Sequence, residues 1–134
     1  MIKVSIIIPM YNVAQYLNTC VISVINQELE PDSFEILMID DGSPDNSIEI
    51  AKNLADKYSV IKVISQENRG LGGARNTGIK NAKGEYILFL DADDRIVKNT
   101  LNSIIRIAEL NKLDLLEFGA NLIADDDSII RTIS

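Results

Sequence analysis

The chain has 134 residues, 46% of them hydrophobic, and a formal net charge of −7 at pH 7. This length and apolar content predict one folded domain with a real core and argue against disorder. The negative charge makes nucleic acid and anionic membrane surfaces unfavourable partners. Because there is no histidine and Cys20 is the only cysteine, a histidine base, a histidine-containing zinc site and an intrachain disulfide are all excluded.

Short apolar runs alternate with segments of helical periodicity along most of the chain. The apolar, often β-branched runs predict four strands, at 4–8, 35–39, 60–64 and 87–90. Apolar residues at helical spacing predict four helices, at 16–25, 44–58, 70–82 and 101–108. Pro9 is expected to end the first strand and Ser43 to cap the second helix. A fifth strand is expected within 113–123.

This alternation predicts an α/β domain with three layers, α/β/α, around a mainly parallel twisted sheet. In such a sheet the loops that follow the strands share one edge, where ligands bind. Cys20 falls on the apolar face of the first helix, which favours a small buried side chain over a nucleophile. Neither a signal peptide nor a membrane span is expected, since Met1 leads directly into a strand and no apolar run is long enough. The default location is cytoplasmic, at most peripheral to the inner membrane face.

Three carboxylates follow the fourth predicted strand directly, at Asp91, Asp93 and Asp94. The apolar run before them is typical of a central strand buried on both faces. Side chains two apart on an extended chain point the same way, so Asp91 and Asp93 are expected to converge on one point. Two carboxylates suit Mg²⁺ or Mn²⁺, which complete their shell with water and phosphate oxygens. A solvated acidic turn is the alternative.

The loops after the first two strands offer groups that fit a nucleoside. Tyr11 can lay its ring on a base and Asn12 can bond a base edge. One carboxylate of Asp40 and Asp41 can accept from a base N–H or a ribose hydroxyl, while the other caps a helix.

A glycine-rich helix start, residues 68–76, offers N–H groups to an anion. Arg75 or Arg69 can add a phosphate contact. The dinucleotide-binding pattern G-x-G-x-x-G is absent.

Four motifs, at 5–12, 39–43, 68–78 and 84–94, together closely resemble the family 2 glycosyltransferases of the GT-A fold. The resemblance implies inverting transfer of a sugar from a nucleotide diphosphate donor, often a UDP-sugar, to a saccharide or lipid-linked acceptor. It implies that Pro9, Tyr11 and Asp41 lie around the nucleoside and Arg75 near the donor. It assigns Asp91 to the ribose side and Asp93 to the divalent metal.

The resemblance also implies a carboxylate general base in the second half of the domain. Residues 125–127 follow the fifth predicted strand too soon for that role, so the base is expected to be missing from this chain. We therefore expect a donor-binding part at 1–112 and the incomplete start of an acceptor-side half at 113–134. Apolar surface exposed by an incomplete domain would allow pairing with a second copy.

Two other classes place paired acids beside an apolar strand. In haloacid-dehalogenase-type phosphohydrolases the first acid, here Asp91, is a nucleophile. That kind of site requires Thr or Val four residues later, where this chain has Arg95. Receiver-like signalling modules put the acid pair after the first strand, where this chain has Tyr11 and Asn12. A nucleotide-binding module without turnover is a third alternative.

Overall fold

The computed structural model describes residues 1–112, 120–123 and 129–133. The chain divides into two compact units, Met1–Asn102 and Ser103–Ser134. The assignment of a donor part and an acceptor part, with a boundary at 112, stays a prediction. All residues discussed below as a site belong to the first unit.

A four-stranded parallel sheet forms the centre of the first unit, in the order β3-β2-β1-β4. Its strands are β1 (Val4–Met10), β2 (Phe34–Asp40), β3 (Ile61–Ser65) and β4 (Tyr86–Phe89). Parallel neighbours require crossover connections. The connecting helices are α1 (Ala14–Ile25), α2 (Ser47–Lys57) and α3 (Gly70–Asn81). The predicted α/β class is confirmed.

Both faces of the central strands are covered, because every residue of β1 and β2 is buried. Ile7 faces α3, where a Cβ added to Gly78 would overlap the Ile7 side chain. Ile6 and Ile8 point to the opposite face and are also fully buried. The helices α1 and α2 contact each other and form the helical layer on that opposite face. This is the predicted three-layer arrangement.

The prediction that the fourth strand is central and buried on both faces is wrong. Among the described residues β4 has a strand neighbour on one side only, namely β1. Ile87 is 41% exposed and Phe89 42% exposed. The strand ends at Phe89, although the Leu90 N–H still donates to the Ile7 carbonyl at 2.9 Å. Within the described residues, this continuous apolar run therefore belongs to a strand that pairs on one side only.

Pro9 lies within β1 and does not end it. The register with β4 stops at Ile7, whereas the register with β2 continues through Pro9 to Met10. Backbone groups of a parallel strand alternate between its two neighbours. The missing N–H of Pro9 therefore falls on the side of β4, where pairing has ended, and costs the β2 ladder nothing.

The start of α2 also differs from the prediction, since the helix begins at Ser47 and not at Pro44. Asp45 Oδ1 accepts from the Ser47 N–H at 3.0 Å and from the Ser47 hydroxyl at 2.6 Å. Ser43 does not cap the helix; its hydroxyl accepts from the Asn12 N–H at 3.2 Å. Ser43 is used to join two loops.

The second unit contains most of α4 (Leu101–Leu110) and a two-stranded antiparallel sheet of β5 (Ala120–Ile123) and β6 (Ile129–Ile133). The fifth predicted strand is thus confirmed over its last four residues, as β5. Its earlier part, and the acidic run at 125–127, lie outside the described residues.

A buried carboxylate joins the start of the sheet to the loop before β4. Glu35, 2% exposed, accepts from the Ser5 hydroxyl at 2.6 Å and from the Lys83 N–H at 2.7 Å, and Lys62 lies 3.5 Å away. Burial by itself raises the pKa of Glu35, but the bonds from Ser5 and Lys83 and the charge of Lys62 together lower it below the ordinary value of 4.5. The charged form is therefore the one that the fold stabilises.

Glu35→Gln is expected to lower the free energy of unfolding at pH 7 by about 1–3 kcal/mol, because a neutral amide accepts more weakly from Ser5 and Lys83 and loses the attraction to Lys62. A lowered folded pKa contributes stability above the unfolded value, and this is lost as pH falls through the folded value. The deficit, measured by urea unfolding at a series of pH values, should therefore shrink below pH 4.5. Glu67→Gln, at an exposed position, is the control. A deficit of constant size down to acid pH would contradict this account.

Candidate functional site

The carboxyl ends of β2, β1 and β4 lie side by side at one edge of the sheet. The loops that leave this edge begin at Asp41, Tyr11 and Leu90, respectively. Neighbouring strands lie ~4.8 Å apart, so the outer two of these ends are separated by ~10 Å.

The loops after β1 and β2 are joined by three hydrogen bonds. The N–H groups of Asn12 and Val13 donate to the hydroxyls of Ser43 and Ser47 at 3.2 and 3.1 Å. The third bond runs from the Ala14 N–H to Asp45 Oδ2 at 3.1 Å. The two loops therefore form one rim.

Three of the predicted nucleoside-binding residues lie at the end of β1. Pro9 is buried, whereas Tyr11 is 49% exposed and Asn12 is also exposed. Asn12 has a left-handed φ of 55°, a conformation that asparagine tolerates better than most residues. The Tyr11 ring is therefore accessible at the rim.

Asp41 is engaged by the protein and forms the cap of α3. It is 4% exposed, and Oδ1 accepts from the Arg69 N–H at 2.8 Å and from Gln66 Nε2 at 2.9 Å. Its Oδ2 accepts from the Gly70 N–H at 2.9 Å. A carboxylate at a helix N-terminus satisfies orphan N–H groups and favours the helix dipole.

Asp40 is also buried, and its Oδ1 accepts from the Ser43 N–H at 3.3 Å. The sequence predicts one capping acid and one acid facing a crevice, but both side chains are buried and bonded to protein. Gly42 allows this arrangement, since its φ of 77° turns the chain immediately after Asp41.

Arg75 and Asp91, which the family resemblance assigns to the donor site, lie close together. Arg75 Nη2 lies 3.5 Å from Asp91 Oδ1, and the guanidinium stacks 5.6 Å from the centre of the Phe89 ring. Both charged side chains are more than a third exposed, so the ion pair by itself contributes little stability. Arg75 Nε is buried and has no hydrogen-bond partner among the described residues. The guanidinium is thus held at the carboxyl edge of the sheet, and its Nε–H remains able to donate a hydrogen bond.

Residues 91–94, here called the acidic turn, form a hydrogen-bonded turn and not the extended chain that the sequence predicts. The Asp94 N–H donates to the Asp91 carbonyl at 2.9 Å, and Ala92 is the buried residue of the turn. The carboxylates of Asp91, Asp93 and Asp94 are exposed.

Although Asp94 is exposed as a residue, partial loss of water around its carboxyl group raises its pKa, and the charges of Asp93 and Asp91 raise it further. Negative charge is therefore concentrated at this turn. Asp94 belongs to the acidic turn as well, although the sequence interpretation gave it no role.

The donor set of the acidic turn fits part of a divalent-cation site. Within the described part of the chain, no three acidic, histidine or cysteine side chains are arranged to hold a metal ion by themselves. Mg²⁺ and Mn²⁺ accept one or two carboxylates and take the remaining oxygens from water and phosphate. Asp93, with its neighbours in the turn, can supply that protein share.

Cys20 contacts the backbone at the start of the acidic turn. It is fully buried on α1, as predicted, and its Sγ lies 3.6 Å from the Asp91 carbonyl oxygen. Burial, followed by the charges of Asp94, Asp93 and Asp91, raises the pKa of the thiol to about 12. The thiol stays protonated at neutral pH and is not a nucleophile.

A parallel sheet whose strands end on one edge lined by polar and charged side chains is the arrangement of the doubly wound α/β domains, a class that binds ligands at that edge. Comparison with known proteins narrows this class. The family model described as glycosyl transferase family 2 matches residues 5–119. The chain belongs to glycosyltransferase family 2.

Similar proteins carry glycosyltransferase names. The uncharacterized glycosyltransferase EpsJ of Bacillus subtilis is 45% identical over 116 residues, which are 87% of this chain and 33% of EpsJ. The poly(ribitol-phosphate) beta-glucosyltransferase of Bacillus spizizenii is 38% identical, over 84% of this chain and 18% of that protein. The crystal structure of S. aureus TarS 1-349 with UDP-GlcNAc superposes with a TM-score of 0.77 at 33% identity, over 83% of this chain and 32% of that one.

The chain thus spans about a third of the length of EpsJ and of the TarS fragment. Across the described residues, no helix combines the length and apolar character needed to cross a membrane.

Asp41→Ala should destabilise the protein by about 2 kcal/mol, since it leaves the buried N–H groups of Arg69 and Gly70 without an acceptor. Urea unfolding measures the loss, and amide hydrogen exchange should quicken at the start of α3 before the sheet amides are affected. Asp56→Ala, an exposed acid on α2, is the control. Equal unfolding midpoints for the two variants would contradict the capping role.

Proposed function

We propose that this domain binds a nucleoside diphosphate sugar, most simply a UDP-sugar, as the donor for transfer to an acceptor hydroxyl. The observation that carries the proposal is the contact of Arg75 with Asp91, which lies beside Asp93. These residues lie at the same carboxyl edge of the sheet as Tyr11 and the joined loops after β1 and β2, here called the Tyr11 rim. A guanidinium that can donate to phosphate thus lies close to carboxylates that can accept from hydroxyls or bind a cation. One small molecule can reach both.

The nucleoside end of the donor is assigned to the loops after β1 and β2. The exposed ring of Tyr11 offers a stacking surface, and Pro9 and Asn12 flank it. Asp41 already accepts three hydrogen bonds from the protein. A carboxylate has about four acceptor sites, so Asp41 keeps one for a base N–H or ribose hydroxyl. Asp40 shapes the turn beneath it.

The diphosphate end is assigned to Arg75 and the acidic turn. Since the chain carries a net charge of −7, an anionic donor needs local positive charge to bind. Arg75 offers N–H donors in the planar geometry that phosphate oxygens accept. Asp93 is the proposed ligand for Mn²⁺ or Mg²⁺, and Asp91 is assigned to the ribose. When bound, the cation would act as a Lewis acid for the departing diphosphate.

The reaction proposed is an inverting displacement. The acceptor oxygen forms a bond to the anomeric carbon while the bond from that carbon to the diphosphate oxygen breaks, and the acceptor proton passes to a general base. Arg75 is placed to stabilise charge that develops on the diphosphate. The base is assigned to residues beyond the donor-binding part.

The relatives support the donor and acceptor classes. TarS was crystallised with UDP and with UDP-GlcNAc, which favours a uridine nucleotide here. The name of the Bacillus spizizenii relative favours an acceptor in bacterial polysaccharide or glycoconjugate synthesis.

Titration calorimetry with UDP, GDP, CDP and TDP, with and without Mn²⁺, tests the proposal. We expect UDP to bind selectively and more tightly with the metal. Asp93→Ala should remove the metal-dependent part, roughly a tenfold to hundredfold loss of affinity, because a ligand of the cation is gone.

Asp56→Ala is the matched control, since it removes an exposed acid away from the edge and should leave both affinities unchanged. Metal-dependent binding that survives Asp93→Ala would exclude the assigned cation site. Failure of every nucleotide to bind would exclude the proposed function.

These 134 residues are expected to bind the donor without sustained sugar transfer, because no described residue is placed as the general base. Release of UDP from UDP-GlcNAc, with and without a sugar acceptor, can be followed over many enzyme equivalents. Multiple-turnover transfer by this chain would contradict the assignment of the base to other residues.

A further inference from the structure

One face of α1 contacts the chain that carries and follows the acidic turn. The contacts come from Cys20 and Ser23, three residues apart on α1, and from Gln27, which lies two residues after the helix ends at Ile25. Cys20 contacts the Asp91 carbonyl. Ser23 Oγ accepts from the Ile96 N–H at 3.0 Å while donating to the Cys20 carbonyl at 2.6 Å.

Gln27 makes the most extensive of these contacts. Its Nε2 donates to the Val97 carbonyl at 2.8 Å and to the Ser23 carbonyl at 3.1 Å. Its Oε1 accepts from the N–H groups of Thr100 and Leu101 at 2.9 and 3.0 Å. A primary amide has two donors and two acceptor sites, so all four are used.

The amide is also inaccessible to water. Gln27 is 1% exposed, and burial of an amide is unfavourable unless its groups are bonded. Every partner of Gln27 is a backbone atom, so the contact fixes the path of residues 97–101 whatever side chains they carry. The segment 94–98, which follows the acidic turn, has no regular secondary structure to hold it.

The acidic turn is thus held on both sides. On one side the Leu90 N–H donates to β1. On the other, Ser23 and Gln27 hold the chain from two residues after Asp94 onward. Among the described residues β4 pairs with β1 only, so the turn that follows β4 has no second strand beside it for support.

We infer that Gln27, assisted by Ser23, is a positioning residue that fixes the acidic turn in the geometry needed for the cation–diphosphate end of the donor site. The inference rests on the proposed function. Gln27 touches neither the donor nor the cation and acts only through the backbone of residues 94–101.

The rival explanation is that Gln27 merely stabilises the fold by capping the first turn of α4. A purely stabilising residue, when replaced, lowers the unfolding midpoint and leaves the binding of folded molecules unchanged. A positioning residue changes the ratio of the UDP dissociation constants without and with Mn²⁺, here called the metal enhancement. The two readouts therefore separate the roles.

The main variant is Gln27→Met, which keeps an unbranched side chain of similar length and removes all four bonds. Gln15→Met, the same substitution at an exposed position of α1, is the matched control. Calorimetry with UDP, in Mn²⁺ and in EDTA, should show the metal enhancement reduced by roughly tenfold or more in Gln27→Met, as for other outer supports of metal ligands. The dissociation constant in EDTA should stay within about twofold, because the Tyr11 rim is untouched.

A second readout needs no metal. Amide hydrogen exchange of the metal-free protein should quicken at Ile96, Thr100 and Leu101 in Gln27→Met, while the amides of β1 and β2 keep their protection. Unchanged exchange at all three positions would show that Gln27 does not hold this segment, and would overturn the inference.

The outcomes are distinct. If the unchanged protein shows no metal enhancement, the proposed cation site fails, and the positioning role fails with it. If the unchanged protein shows the enhancement and folded Gln27→Met retains it in full, only the positioning role fails. Should Gln27→Met not fold, Ser23→Ala, which removes the acceptor of one N–H, takes its place and must reduce the enhancement in the same direction.

Discussion

The two central strands, β1 and β2, are buried along their whole length, and this constraint decides where the protein can carry its chemistry. Their few polar side chains, such as Ser5 and Glu35, bond to each other at the amino end of the sheet. The positions left for a ligand are those where the strands stop. Because the strands are parallel, their carboxyl ends fall on one edge of the sheet, and loops far apart in sequence become neighbours there.

At the carboxyl edge of the sheet, the acidic turn and Arg75 together carry more negative than positive charge. The acidic turn concentrates three carboxylates, of which Asp91 has Arg75 as an ion-pair partner and Asp94 has its pKa raised by burial and by the other two acids. Such an arrangement is unfavourable in an isolated protein and becomes favourable with a cation. The arginine and the acids at this edge therefore suit a ligand in which phosphate and metal arrive together.

The parts of the edge differ in how they are supported. The loops after β1 and β2 bond to each other, and Asp41 bonds to the start of α3, so this half is held by its own polar groups. The acidic turn follows a strand that, among the described residues, pairs on one side only, and it is supported from α1 and the residues just after that helix. The buried amide of Gln27 supplies that support through backbone contacts alone.

The sequence by itself determined the order of strands and helices, the α/β class, the family and the identities of the edge residues. These follow from local periodicity and from short motifs. It did not determine that β4 pairs on one side only within the described part of the chain, that the acids form a turn, or that Pro9 lies within a strand, because sheet order and register are properties of the whole sheet.

Only the tertiary structure assigned partners to the polar side chains. Asp41 bonds to an N–H group 28 residues away, and Gln27 to one 73 residues away, distances at which no local pattern operates. Hydrogen bonds between distant segments form only when packing has brought those segments together. The residues of the proposed site were therefore readable in the sequence as candidates, whereas those that hold them in place were not.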